Sequence, residues 1–168
     1  MSRFVTVKRA ALVAAAAGAA AVALVAGSTG SASAAHLRAV APPALTLDFS
    51  GNNDEAGAAS AVGAGFGGGA AVKDSTGAAV GKAYDLCDKD SITPSSVTAF
   101  CHADIVFNTG DQVALSVVFP IQNPVTATYP KAFDGVIEGG TGAYKGLTGT
   151  AHFNNRSLAV YDITWDAS

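Results

Sequence analysis

From Leu45 onward, apolar and polar residues alternate in short runs, and nearly every run ends in a cluster of Gly, Asn, Asp, Ser or Pro. Alternation with period two marks a strand with one face buried, and such clusters supply turns. Eight strands are predicted, over 45–49, 62–73, 79–87, 97–108, 112–119, 132–138, 147–153 and 158–165. Loops or turns are expected at 50–57, 74–77, 88–96 (around Pro94), 109–111 and 154–157. Pro120, Pro124 and Pro130 mark an extended connection. No helical period follows residue 34. The pattern predicts an all-β domain, an eight-stranded antiparallel up-and-down β-barrel whose closure removes exposed strand edges. A two-sheet sandwich is the alternative, and the short meander-like connections favour the barrel.

Glycine modifies this picture in two places. In the second strand Gly63, Gly65, Gly67 and Gly69 share one face, while Val62, Ala64, Phe66 and Ala70 occupy the other. A face without side chains lets a neighbouring backbone approach closely or leaves room for a ligand, and close packing is the favoured reading. Between the sixth and seventh strands, Gly139, Gly140, Thr141, Gly142 and Gly146 form a structural turn, tight or bulged. Lys145 in that turn suggests a phosphate cradle. Such a cradle needs a helix to follow it, and here a strand pattern follows instead.

The first 34 residues read as a secretory signal peptide. Arg3, Lys8 and Arg9 precede an uncharged run from Ala10 to Ala26, and Ala32-Ser33-Ala34 supplies the small residues of a cleavage site. A membrane anchor is the competing reading, but the run is short and rich in alanine. Residues 35–43 form a flexible lead-in around Pro42 and Pro43, and 44–168 form the single barrel domain. The protein is therefore expected to be secreted, with no membrane association once the leader is removed. All 13 acidic residues lie beyond the leader, against seven basic ones, so a nucleic-acid partner is not expected. The two cysteines, Cys87 and Cys101, favour a disulfide in an exported chain, with a pair of free buried thiols as the alternative. A hairpin centred on Pro94 sets them directly opposite each other, although the cysteines themselves help to choose that centre. Their spacing is not that of a metal site, and neither metal nor cofactor is expected.

Several segments, in order, resemble the allene oxide cyclase and dirigent family. Ile137-Glu-Gly-Gly-Thr-Gly-Ala-Tyr-Lys-Gly146 is similar to that family's Gly-Gly-Thr-Gly-x-aromatic turn. Phe66 to Asp74 followed by Val80-Gly-Lys-Ala83 resembles a strand ending in Asp, a loop, then Val-Gly-Arg-Ala. Ile105-Val-Phe-Asn-Thr-Gly110 resembles the family's Phe-Val-Phe-Thr-x-Gly hairpin, and Leu158 to Trp165 its closing strand. The resemblance spans about Phe66 to Trp165. It implies a calycin-like barrel with an apolar cavity, often trimeric, so a homo-oligomer is expected. Family members cyclise an unsaturated epoxide or steer the coupling of phenoxy radicals. The segment before Phe66 is short and glycine-rich where plant members place polar catalytic residues, so no catalytic position carries over.

Candidate chemistry must therefore come from side chains able to point inward. Asp48 and Glu138 are candidates for a lone cavity carboxylate that would assist epoxide opening or protonation of a quinone methide. His102 and Asp104 share one face of the fourth strand with Phe100 and Val106. If that face lines the cavity, His102 is the candidate general base; on the outside, both are simply solvated. Tyr84 is the candidate ligand contact, and His152 is a further polar side chain to place. Trp165, Tyr161, Phe107 and Phe133 read as core or subunit contacts. Asn155-Arg156-Ser157 matches the N-glycosylation pattern. The expected function is a secreted barrel that binds a small hydrophobic molecule and, if it is an enzyme, cyclises or isomerises it without a cofactor. A non-catalytic lipocalin-like binder and a structural or interaction protein with a filled barrel are the alternatives.

Overall fold

Eight antiparallel strands close into a barrel in which each strand pairs with its neighbours in sequence and the first pairs with the last. The structure is a computed structural model and describes residues 39–51, 61–94, 96–121 and 126–168. The leader expected over 1–34 and most of the loop expected over 50–57 lie outside the described residues. The strands are β1 (Leu45–Asp48), β2 (Gly65–Asp74), β3 (Ala79–Ile92), β4 (Val97–Phe107), β5 (Gln112–Ile121), β6 (Lys131–Gly140), β7 (Gly149–Ser157) and β8 (Val160–Ala167). The expected up-and-down barrel is the observed fold, and the sandwich is not. Of the lead-in, residues 39–43 carry no regular structure, yet Trp165 Nε1 donates to the Pro43 carbonyl at 2.8 Å and ties the segment to β8.

The inward faces follow the alternation. Leu45, Leu47, Ala70, Val72, Ile105, Leu115 and Ile163 are all buried and belong to one continuous core. Eight strands leave a bore just wide enough for side chains to fill, which is what these residues do over most of its length. Cys87 and Cys101 sit directly opposite each other on β3 and β4 and form a disulfide. On β2, Phe66, Ala70 and Val72 point inward, so the bare strip faces outward. A Cβ on Gly67 would lie 2.5 Å from the Asp85 carbonyl oxygen of β3, so this strip serves close backbone approach. Gly63 falls in a turn before the strand instead of in it.

Four boundaries differ from expectation, each for a local reason. The loop expected over 88–96 is largely strand, because β3 keeps pairing with β4 as far as Ile92 and absorbs a bulge between Lys89 and Ser91. Thr93 and Ser96 then close the hairpin through a backbone bond of 2.8 Å and a shared hydroxyl contact. The turn expected over 154–157 is the end of β7: Asn154 and Arg156 face solvent while Asn155 turns inward. Chain reversal falls instead on Leu158 and Ala159, where Ala159 adopts φ 59°. The seventh strand was expected to start at Leu147. Positive φ at Gly146 and Gly149 instead lets Leu147 fold in, fully buried, as a stopper at one end of the bore. Finally, Pro120 lies within β5, but β5 and β6 are paired only from Val113 to Val117, so its missing N–H breaks no rung between them.

The glycine turn closes the stoppered end. One turn of 3-10 helix, Gly142–Tyr144, places Tyr144 against Phe107, with ring centroids 4.8 Å apart. Thr141 exchanges two bonds of 2.9 Å with Gln112, one through its backbone N–H and one through its hydroxyl, stitching this turn to the start of β5. Gly140 has no room for a side chain, since a Cβ there would meet Tyr144 and the Gln112 carbonyl at 2.7–2.8 Å.

Candidate functional site

The opposite end of the barrel is different in character. Past Val117 and Gly135 the β5–β6 ladder stops, while the two strands run on to Ile121 and back to Lys131. The alternation of β5, β6 and β7 continues inward through this stretch and presents Phe119, Phe133 and Phe153. Phe119 stacks on Phe133, and Phe133 on Phe153, each pair at 5.1 Å between centroids with planes within 15°. Tyr161 of β8 meets Phe133 edge-on at 6.1 Å, and Phe49 meets Tyr161 at 6.0 Å. Stacked and edge-to-face rings of this kind add to the energy of simple burial. Gly135 makes the arrangement possible: a Cβ there would lie 2.9 Å from the Phe153 ring.

Two cavities adjoin these rings and share Phe119, Phe133 and Tyr161. The lateral one, about 60 Å³, lies where β5 and β6 part, with Lys131, Asn155, Tyr129 and Leu158 also on its wall. The axial one, about 40 Å³, follows the bore and is lined by Leu47, Phe49, Ala103, Val117, Cys101 and Asp85 as well as the shared rings. A water needs about 10–15 Å³ of such space, so each holds a few waters or the end of one small group.

Among the described residues, Asp85 is the sole charged one on the axial wall. It stands on the inward face of β3 between Ala83 and Cys87, opposite Gly68 of β2. The Gly68 N–H donates to its Oδ1 at 2.6 Å, and its Oδ2 lies 3.7 Å from the Cys87 sulfur. Among the described residues, Asp85, Cys87 and Cys101 are also the one group with metal-ligand spacing. The two sulfurs are bonded to each other, however, so the group offers a cation a single carboxylate and no thiolate.

The four side chains expected as candidates all point away from the bore. Asp48 is on the outer face of β1, 3.2 Å from Lys73 Nζ, and accepts from the Ser50 hydroxyl at 2.6 Å. The Ser50 hydrogen bonds, followed by Lys73, hold its carboxyl below the usual carboxylate range. His102 lies outside on β4, its Nδ1 3.3 Å from Glu138 and its Nε2 3.8 Å from Asp104. These three form a solvated surface cluster, and no carboxylate among them enters the cavity. Tyr84 is half exposed on the outside of β3. His152 pairs with Asp134 at 2.7 Å, again outside. Phe133 and Tyr161, read as core, line both cavities. Asn155, matched to a glycosylation pattern, is 5% exposed inside the barrel and cannot carry a glycan in the folded chain.

Asp85 was missed although the signal was present. Cys101 shares its face with Ala103, Ile105 and Phe107, which must be the buried face. Its partner Cys87 must then point inward, and so must Asp85 two residues earlier.

The outer wall carries one further feature. Tyr84, Leu86, Phe100, Val118 and Val136 are exposed on β3 to β6, and the register sets Leu86, His102, Ser116 and Val136 in one row. Among the described residues no helix is long and apolar enough to cross a membrane.

No family model matches the chain, and no curated protein matches it. Among solved structures, a chain described as pyocyanin demethylase superposes with a TM-score of 0.56 at 17% identity, covering 74% of this chain and 98% of that one. At that identity the likeness speaks for the fold alone.

Proposed function

We propose that the barrel binds a small apolar molecule at its aromatic mouth, as the resemblance to the allene oxide cyclase and dirigent family implies, and that Asp85 faces the end of the guest that enters the bore. The observation that carries this reading is the Asp85 carboxylate on an apolar wall that opens beneath a ring cluster. The fold it shares with pyocyanin demethylase is compatible with small-molecule binding. Size limits the guest. Enclosed sites for drug-sized ligands run to about 300–1,000 Å³, far above the space present, so only a ring-sized portion enters and the remainder lies in the slit between β5 and β6.

As an enzyme, the protein would be a cofactor-free isomerase or cyclase. Asp85 would donate a proton to, or accept one from, the buried end of the guest, and the apolar wall would hold that end in a reactive conformation. The disulfide and the basic, alanine-rich N-terminal segment support a secreted protein. Self-association, as a trimer on the resemblance, would use the apolar outer face of β3 to β6. A structural role with a filled barrel is the second reading, favoured by the small cavity volumes.

Native mass spectrometry of protein purified gently from its own culture medium tests the proposal. A bound small molecule, lost on Phe133→Ala exchange, is expected. Recovery of the bare chain at every step would favour the structural role.

A further inference from the structure

The lateral cavity holds two polar groups that the barrel itself leaves unused. Asn155 is 5% exposed, and its side-chain oxygen is the one buried side-chain polar atom, among the described residues, with no hydrogen-bond partner. Native structures pair such atoms almost always, and an exception calls for an explanation such as a bound water, an ion or a functional role. Lys131 is the other. It is the only charged residue on the wall of this cavity, and no ion pair forms to it among the described residues. Its strand position puts it on the same face as the inward Phe133 and Ile137, at the exposed end of β6 on the cavity's rim. Lys131 and Asn155 are also direct cross-strand partners on β6 and β7, and Asn155 is in turn opposite Tyr161. Directly opposed residues hold their Cβ atoms about 4.5–5.5 Å apart, so a guest at Lys131 lies beside Asn155 and reaches its closed-off oxygen by displacing a neighbouring side chain.

The chemistry of the pair differs from that of the protein around it. The chain is acidic overall, with 13 acidic against 10 basic residues, yet the single charge on this wall is positive. The carboxamide oxygen beside it accepts a hydrogen bond and the ammonium takes an anion. Around both are Phe119, Phe133 and Tyr161, whose rings favour a flat apolar body.

Building on the mouth-binding reading above, we infer that the guest is an aromatic acid: a flat apolar ring system that carries one anionic group for Lys131 and an N–H or O–H donor for Asn155. The anion stays near the rim, where the ammonium is exposed, and the donor reaches inward to the buried amide. Asp85 lies on the other cavity, so the anionic end is kept away from its carboxylate.

Two fluorescent probes separate this inference from the reading beneath it. 8-Anilino-1-naphthalenesulfonate has the rings, the N–H and an anion; N-phenyl-1-naphthylamine has the same rings and N–H without the anion. Titrating both into the oxidised protein should show the sulfonate binding about 3- to 5-fold more tightly, as one partly exposed ion pair allows. Lys131→Gln should remove that preference and leave the neutral probe within about 2-fold, and added salt should weaken only the sulfonate. Asn155→Leu should weaken both probes. Equal binding of the two probes, or a sulfonate preference that survives Lys131→Gln, overturns the aromatic-acid inference while the mouth-binding reading stands. Binding of neither probe overturns both. Lys131 is exposed, so its replacement leaves the fold intact, and an unchanged melting temperature verifies this.

Discussion

Replacing Asn155 by leucine removes the unpartnered carbonyl oxygen while keeping nearly the same shape. The atom is buried with no hydrogen-bond partner among the described residues, so the folded state gives up its hydration without a protein hydrogen bond in return. That penalty is about 1–3 kcal/mol for a neutral group. Leucine adds apolar contact with Phe133 and Tyr161 and changes volume little, so repacking should cost under about 1.5 kcal/mol. For a barrel of this size, 1 kcal/mol moves the melting temperature by about 4 °C. The expected result is therefore a stabilised protein, with a melting temperature higher by up to about 12 °C and weaker binding of any guest. Circular dichroism melts at pH 7, with urea titrations alongside, measure it. Asn155→Asp combined with Lys131→Gln supplies the opposite control: it buries a carboxylate without the cross-strand ammonium and should melt well below the parent at pH 7, recovering as the pH falls and the acid is protonated. A leucine variant that melts at or below the parent temperature would show that the amide is already satisfied in the folded state. The orphan-atom argument would then fail, whatever binds at the mouth.

Two further expectations concern the frame. The Cys87–Cys101 bridge closes a loop with a sequence separation of 14, worth about 3 kcal/mol on chain-entropy grounds. Cys87→Ala with Cys101→Ala should thus lower the melting temperature by about 10 °C, and reductant should do the same to the parent and nothing to the double variant. A parent insensitive to reductant would contradict the pairing. Asp48 is held below the usual carboxylate range by Ser50 and Lys73, so it favours the folded state at pH values above that range and loses this effect as the pH falls through its lowered pKa. Asp48→Asn should therefore cost a few tenths of a kcal/mol at pH 6, since the pair is partly exposed, and less as the pH falls towards 2. An equal cost at both pH values in urea titrations would rule out the charge as its origin.

The barrel was legible in the sequence because period-two alternation survives in every strand and turns are marked by glycine, aspartate and proline. What escaped was the fine placement of strand ends. Polar stretches such as Asp88–Ile92 and Asn154–Ser157 look like loops, yet they remain strand because their backbones still find partners in β4 and β8. Leu147 shows the reverse: an apolar residue that begins an alternating run but serves as an end stopper, freed from the ladder by flanking glycines. The site was less legible. Asp48, His102 and Glu138 attracted attention as polar residues within apolar strands, and that position is equally the mark of a solvated outer face. Only parity decides, and parity is fixed where a residue of known direction stands two places away. Cys87 provides this for Asp85, Phe133 for Lys131 and Phe153 for Asn155. The slit between β5 and β6 had one local sign, Pro120, which a sequence alone cannot tell from an ordinary strand end.

The central claim is that a guest sits at the ring-lined mouth and not on the apolar outer wall. Two-dimensional amide and side-chain NMR during titration with N-phenyl-1-naphthylamine tests it directly. The account predicts that shifts concentrate on Phe119, Phe133, Asn155, Tyr161 and Asp85. Shifts centred on Tyr84, Leu86, Phe100 and Val136, or none at saturating probe, would contradict it.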